Sequence, residues 1–160
     1  MSNYICLDTS VIIKILLPED NSDKATALIN SAIQCRQVIV LPVFAWAEVG
    51  TVLRQRHCRG KLTVQESDSL WSEFRQFPGI EYLGNEMIMD LTWKISQSLK
   101  MSTLYDASFL AVAEAVAERT GETCEFWTAD EKLVNFLNGR KGYVKLLRDF
   151  GPRLPEDAPA

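Results

Sequence analysis

Tyr4-Ile5-Cys6-Leu7-Asp8-Thr9-Ser10-Val11-Ile12 is a short, continuously apolar run that stops on an acid and turns into a helical pattern. A strand apolar on both faces belongs in the middle of a covered, usually parallel, sheet. Ligands of such sheets sit at the carboxyl ends of the strands, which is where Asp8 falls. Taken alone, the stretch gives Asp8 the ordinary job of capping the helix that follows. It also raises the question of whether other carboxylates reach the same edge.

Working outward, the same alternation repeats. Thr9 to Leu17 reads as a short helix ended by Pro18, and Asn21 and Ser22 offer caps for a second helix. Val38-Ile39-Val40-Leu41 is a second buried-type strand, and Pro42 suits the first turn of a helix running from Val43 to about His57. Thr63-x-x-Glu66 is a capping box, and Pro78-Gly79 breaks the helix it opens. Ile80 to Leu83 is a third, more polar strand suited to an edge, and Asn85 caps a helix carrying Ile88, Leu91, Ile95 and Leu99. From Leu104 to Glu118 the pattern is helical and apolar nearly all round, the mark of a deeply packed helix, with Gly121 as its stop. Glu125 to Thr128 is a fourth strand, a helix follows to Leu137, and Tyr143 to Leu147 is a fifth strand. Short apolar strands alternating with one or two helices predict an α/β fold: a three-layer α/β/α sandwich on a mainly parallel five-stranded sheet. Residues 1–150 are expected to form one domain and residues 151–160, with three prolines, a disordered tail.

Composition narrows the chemistry. A chain of 160 residues is large enough for a hydrophobic core without staples. It has no apolar run of about eighteen residues to span a membrane and no basic-then-apolar secretion signal, which points to the cytoplasm. Cys6, Cys35, Cys58 and Cys124 are far apart and form no metal-ligand spacing, so free thiols in a reducing compartment are expected. A single histidine, His57, argues against a zinc site or a Ser-His-Asp triad. The net charge of −4 does not advertise nucleic-acid binding, yet steering depends on the local field and not on the total.

Three further acids break their local patterns. Glu48 falls on the packing stripe of its helix, where a charge is costly unless paired or metal-bound; the plainer alternative is a Glu at the stripe's edge or paired with Arg54. Asp106 opens the apolar helix, where Thr103-x-x-Asp106 also resembles a capping box. Asp130 follows the fourth strand, and because Thr128-x-x-Glu131 reads as a capping box, its carboxylate is left free to point elsewhere. If the four converge, like charges raise one another's pKa and destabilise the fold. A hard cation removes that penalty, and all-carboxylate donors suit Mg²⁺ or Mn²⁺. Such clusters support two-metal hydrolysis of phosphodiesters, which needs no protein nucleophile and no histidine.

The order of these motifs resembles the PIN-domain ribonucleases, of the VapC-like kind found as toxins in toxin–antitoxin operons. The resemblance runs from Tyr4 to about Leu147 and rests on Asp8-Thr9-Ser10, Ala47-Glu48-Val49, Tyr105-Asp106-Ala107 with the apolar helix behind it, and Thr128-Ala129-Asp130. It implies that Asp8, Asp106 and Asp130 hold Mg²⁺ (or Mn²⁺), with Glu48 completing the shell and Ser10 and Thr128 orienting carboxylates. It further implies in-line hydrolysis of RNA to a 5′-phosphate and a 3′-hydroxyl, a homodimer, and a cognate antitoxin protein that covers the site. Arg54, Arg56, His57, Arg59 and Lys61 form a basic cluster suited to RNA phosphates, or equally a solvated loop face.

Rival readings are separable. A haloacid-dehalogenase-type phosphotransferase wants a second Asp where Ser10 stands, and a receiver domain wants a phospho-accepting Asp where Leu83-Gly84-Asn85 stands. A PIN-like module that binds RNA or protein without cutting is disfavoured only by the presence of all four acids.

Overall fold

The computed structural model describes residues 2–151. Apart from Gly151, the tail predicted over residues 151–160 lies outside them. The sheet has five strands: β1 (Tyr4–Leu7), β2 (Val38–Pro42), β3 (Ile80–Leu83), β4 (Glu125–Thr128) and β5 (Val144–Leu146). Every pairing is parallel and the spatial order is β3-β2-β1-β4-β5, so the predicted α/β sandwich stands and its sheet is wholly parallel. The polar Ile80–Leu83 segment does lie at an edge.

The helices are α1 (Thr9–Leu16), α2 (Ser22–Gln34), α3 (Ala45–Cys58), α4 (Val64–Arg75), α5 (Glu86–Leu99), α6 (Tyr105–Thr120) and α7 (Glu131–Leu137), with a 3₁₀ turn at Leu147–Asp149. The steps β1→β2→β3 run one way across the sheet and β4→β5 the other. Right-handed crossovers therefore place α1–α4 on one face and α5–α7 on the opposite one. The contacts agree: α1 packs on α2 and α3, while α6 lies across β1, β2 and β4 with α5 against it. Among the described residues no helix is long and apolar enough to cross a membrane.

The centre of the sheet is where the core is densest. Cys6, Val40 and Phe126, on the three inner strands, are fully buried, and Phe109 of α6 stacks on Phe126 with ring centroids 5.6 Å apart. Cys6 and Cys124 are free and buried, whereas Cys35 and Cys58 are free and exposed. Burial pushes the Cys124 thiol up to about 12, with Glu125 adding to the effect.

One local expectation fails. Pro42 does not open a helix; it closes β2, where it pairs with Leu83, and α3 starts three residues later at Ala45. The fixed φ of proline suits the end of a strand as well as the start of a helix, and the Val43 N–H bonding to the Leu83 carbonyl (3.0 Å) extends the strand register. This tight join leaves Gly84 no room for a side chain: a Cβ there would stand 2.7 Å from both Cβ and Cγ1 of Val43.

Candidate active site

Each of the four acids stands at the beginning of a helix. Asp8 is the N-cap residue of α1, Glu48 lies in the first turn of α3, Asp106 in the first turn of α6, and Asp130 is the N-cap residue of α7. Asp8 and Asp130 follow β1 and β4, the neighbouring strands from which the chain departs in opposite directions. That junction is the crevice in which open parallel sheets bind ligands. The Asp8 N–H bonds to the Trp127 carbonyl at 2.9 Å, so the two strand ends are joined at the site itself.

Asp8 is 8% exposed and held by two hydroxyls. Its Oδ2 accepts from Ser10 Oγ (2.6 Å) and from Thr128 Oγ1 (2.8 Å). Those hydroxyls are themselves fixed: Ser10 Oγ accepts from the Ala129 N–H and Thr128 Oγ1 from the Asp130 N–H, each at 3.0 Å. Ser10 and Thr128 thus orient Asp8 by hydrogen bonds and cross-link the β1–α1 turn to the β4–α7 turn.

The capping roles expected from the sequence are exchanged. Asp8 occupies the N-cap position but its side chain makes no cap hydrogen bond. Thr128 and Glu131 form no capping box, because Thr128 is still in β4 and its hydroxyl is committed to Asp8; Glu131 instead pairs with Arg148 at 2.6 Å. Asp130 is the actual cap, its Oδ1 accepting from the Lys132 and Leu133 N–H groups at 2.9 and 3.3 Å. Nor does Thr103 cap α6: the helix starts one residue too late, with Leu104 as N-cap and no side-chain bond.

The electrostatics tie the four together. Asp8 is raised above the usual carboxylate range by burial and by the charge of Asp130, against the pull of the Ser10 and Thr128 hydrogen bonds. Burial, then the charges of Asp8 and Asp106, push Glu48 up to about 7, although Thr9 Oγ1 lies 3.5 Å from its Oε1 as a donor. Burial, then Asp8 and Asp130, push Asp106 up to about 6. Among the described residues the four ion pairs (Lys14–Glu19, Arg56–Glu19, Lys141–Glu114 and Arg148–Glu131) involve none of these acids. Glu48 is not paired with Arg54. The positive ends of four helix dipoles offset part of the repulsion, each equivalent to about half an elementary charge.

A group of carboxylates whose charges repel and which, among the described residues, lack an ion-pair partner is chemically matched to a hard divalent ion with oxygen preference. The donor set therefore fits such a metal. Their present arrangement is looser than a ligand sphere: among the described residues no three His, Cys, Asp or Glu side chains are grouped to hold an ion.

The basic cluster is not brought to the acids. Arg54 and Arg56 lie six and eight residues beyond Glu48 on α3, about 9–12 Å along the axis. Arg56 is engaged by Glu19 at 2.5 Å and His57 Nδ1 by the Leu62 carbonyl at 2.9 Å, while Arg54, Arg59 and Lys61 are exposed. Two other concavities lie away from the acids. One of about 560 Å³ runs between α3 and α4 beside Trp46 and Trp71, and one of about 790 Å³ lies between α2 and the chain near Phe150. Neither is lined by the four acids, and their size does not outweigh the chemistry at the strand ends.

Sequence reading assigned no role to two residues that the structure brings to this edge. Thr9 faces Glu48, and the hydroxyl directly after Asp8 was the available signal. Tyr105, just before Asp106, is 60% exposed where the apolar helix pattern suggested packing.

Comparison with known proteins gives a consistent picture. The model of the PIN domain matches residues 5–136. No curated protein matches the chain. Among solved structures, the crystal structure of PAE2754 from Pyrobaculum aerophilum aligns with a TM-score of 0.53 at 17% identity, covering 83% of this chain and 78% of that one. At that identity the likeness speaks for the fold.

Proposed function

This chain belongs to the PIN domain family, and from that premise we infer that it is a metal-dependent endoribonuclease acting in the cytoplasm. PIN domains are generally nucleases. The observation that carries the reading to this chain is the meeting of Asp8, Glu48, Asp106 and Asp130 at four helix starts, mutually repelling and without a cationic partner.

In this reading Asp8, Glu48, Asp106 and Asp130 would hold Mg²⁺ or Mn²⁺. A bound divalent ion supplies charge stabilisation for the phosphate and an activated water. Ser10 and Thr128 keep Asp8 aimed at the crevice, so its orientation costs nothing further when substrate arrives. Asp130 divides its carboxylate, one oxygen capping α7 and the other left for the site. Burial and the charges of Asp8 and Asp106 raise Glu48 to about 7 without an ion, so binding a divalent ion there would release a proton. Hydrolysis of an RNA phosphodiester then leaves a 5′-phosphate and a 3′-hydroxyl. Arg54, Arg56, Arg59 and Lys61 belong to this proposal as remote phosphate contacts only. A role as the toxin of a VapC-like toxin–antitoxin pair, with a homodimer and a cognate antitoxin, extends the same reading.

The test is RNA cleavage in Mg²⁺ or Mn²⁺, repeated with EDTA and with Asp8→Asn and Asp106→Asn. Cleavage lost in EDTA and in both variants is expected, with circular dichroism unchanged; wild-type rates in either variant would overturn the assignment. A second reading, a PIN-like module that binds RNA or protein without cutting, is favoured by the lack of a grouped ligand set among the described residues. RNA binding with no cleavage under any divalent ion would establish it.

A further inference from the structure

We propose that Tyr105 is a stacking platform that holds one base of a single-stranded RNA beside the acid cluster. The inference rests on the nuclease reading and adds to it a contact for the base, where the acids address only the phosphate.

Tyr105 is the first residue of α6 and immediately precedes Asp106. Its ring meets the Phe44 ring edge-on, with centroids 5.6 Å apart and planes at 84°. Phe44 is the N-cap residue of α3, one helical turn before Glu48, and the Glu48 N–H bonds to its carbonyl at 3.3 Å. Phe44 in turn meets Phe109 edge-on at 6.3 Å, and Phe109 stacks on Phe126. A line of four aromatic rings therefore runs from the centre of the sheet to the surface. Phe126 and Phe109 are buried to 0% and 1% exposure, while the last ring, Tyr105, is 60% exposed.

The arrangement is costly if it has only a packing purpose. An aromatic side chain gains most from full burial, yet this one presents most of its surface to water. Among the described residues its hydroxyl has no hydrogen-bond partner, so no bond explains the outward pose. A T-shaped pair leaves at least one face of the Tyr105 ring clear of Phe44 for another flat group. Because the line is anchored in the core, little ordering cost remains when a base arrives. Every nucleobase offers a π-face, so an exposed, immobilised ring binds single strands without demanding a sequence. Its neighbour Leu104, 45% exposed, widens the apolar platform.

The test is an abasic scan of a fluorescein-labelled nonauridylate, read by fluorescence anisotropy with Ca²⁺ in place of the catalytic ion. In the wild type, one abasic position is expected to weaken binding on the order of tenfold. Tyr105→Ala should weaken the intact strand by about the same factor and no longer respond to that position, and Tyr105→Phe should behave as wild type. Tyr105→Leu, which keeps bulk against Phe44, should resemble Tyr105→Ala; it serves in its place if the smaller residue lowers the melting temperature. Unchanged affinity in Tyr105→Ala and Tyr105→Leu, or equal weakening of intact and abasic strands, overturns the proposal. If the wild type cleaves RNA while these variants bind it normally, only the stacking role falls. If the wild type neither binds nor cleaves RNA, the nuclease reading falls with it. Variants that lose a protein partner while keeping RNA affinity would assign the ring to that partner, and this also overturns the proposal.

Discussion

Thr128 Oγ1 donates to Asp8 and accepts from the Asp130 N–H, so one buried hydroxyl sets the positions of two candidate metal ligands. Thr128→Val keeps the shape and removes both bonds; urea unfolding should show a loss of about 1–3 kcal/mol, and divalent-ion affinity should fall with it. Glu48 and Asp106 make stability depend on pH in an unusual direction. Their ordinary values are 4.5 and 3.8, and the fold raises them to about 7 and about 6. Between those limits the folded state binds more protons than the unfolded one, so their contribution is full below about pH 4 and is lost as pH rises to about 7. Melting temperatures in EDTA should therefore decline from pH 5 to pH 8, and Glu48→Gln with Asp106→Asn should flatten the slope. The identities of these acids were legible in the sequence because each interrupts an apolar pattern. Which of them would serve as a cap was not. A cap is chosen by where the helix backbone begins to within one residue, and at Asp8, Thr128 and Thr103 that register depends on contacts made across the sheet.

At the scale of elements, the joins between strand and helix carry the precision of the site. Gly84 lies against Val43 so closely that β3 and the start of α3 are fixed together. Gly84→Ala should cost about 1–3 kcal/mol by overpacking, and Val43→Ala in the same chain should recover part of it in chemical denaturation. The strand positions and the buried α6 were legible because continuous apolar runs and all-round apolarity each have one structural meaning. Pro42 was misread because its fixed φ fits two elements, and only pairing with Leu83 decides between them. Tyr105 was hidden for a related reason: an aromatic at the head of an apolar helix reads as core until its neighbour, here Phe44, is seen to claim the inner position.

For the molecule as a whole, four helices aim their positive ends at one edge of the sheet and four acids answer them. An ion held there, as proposed, would link the α1–α4 layer, through Asp8 and Glu48, to the opposite layer, through Asp106 and Asp130. Mn²⁺ at a hundredfold excess over its Kd should add about 2.7 kcal/mol of apparent stability, measurable as a shift in the melting curve. Asp106→Asn should abolish most of that shift; an equal shift in the variant would place the ion elsewhere. The strand order has a consequence in time. Among the described residues β1 precedes β4 by three strands, and the bond from Thr128 to Asp8 spans 120 residues. Until that late strand slides in beside the first, Asp8 has no Thr128 to aim it and Asp130 is not yet at its side. A ribosome translating this message would thus carry a chain whose proposed site stays incomplete until β4 has emerged, 120 residues after Asp8.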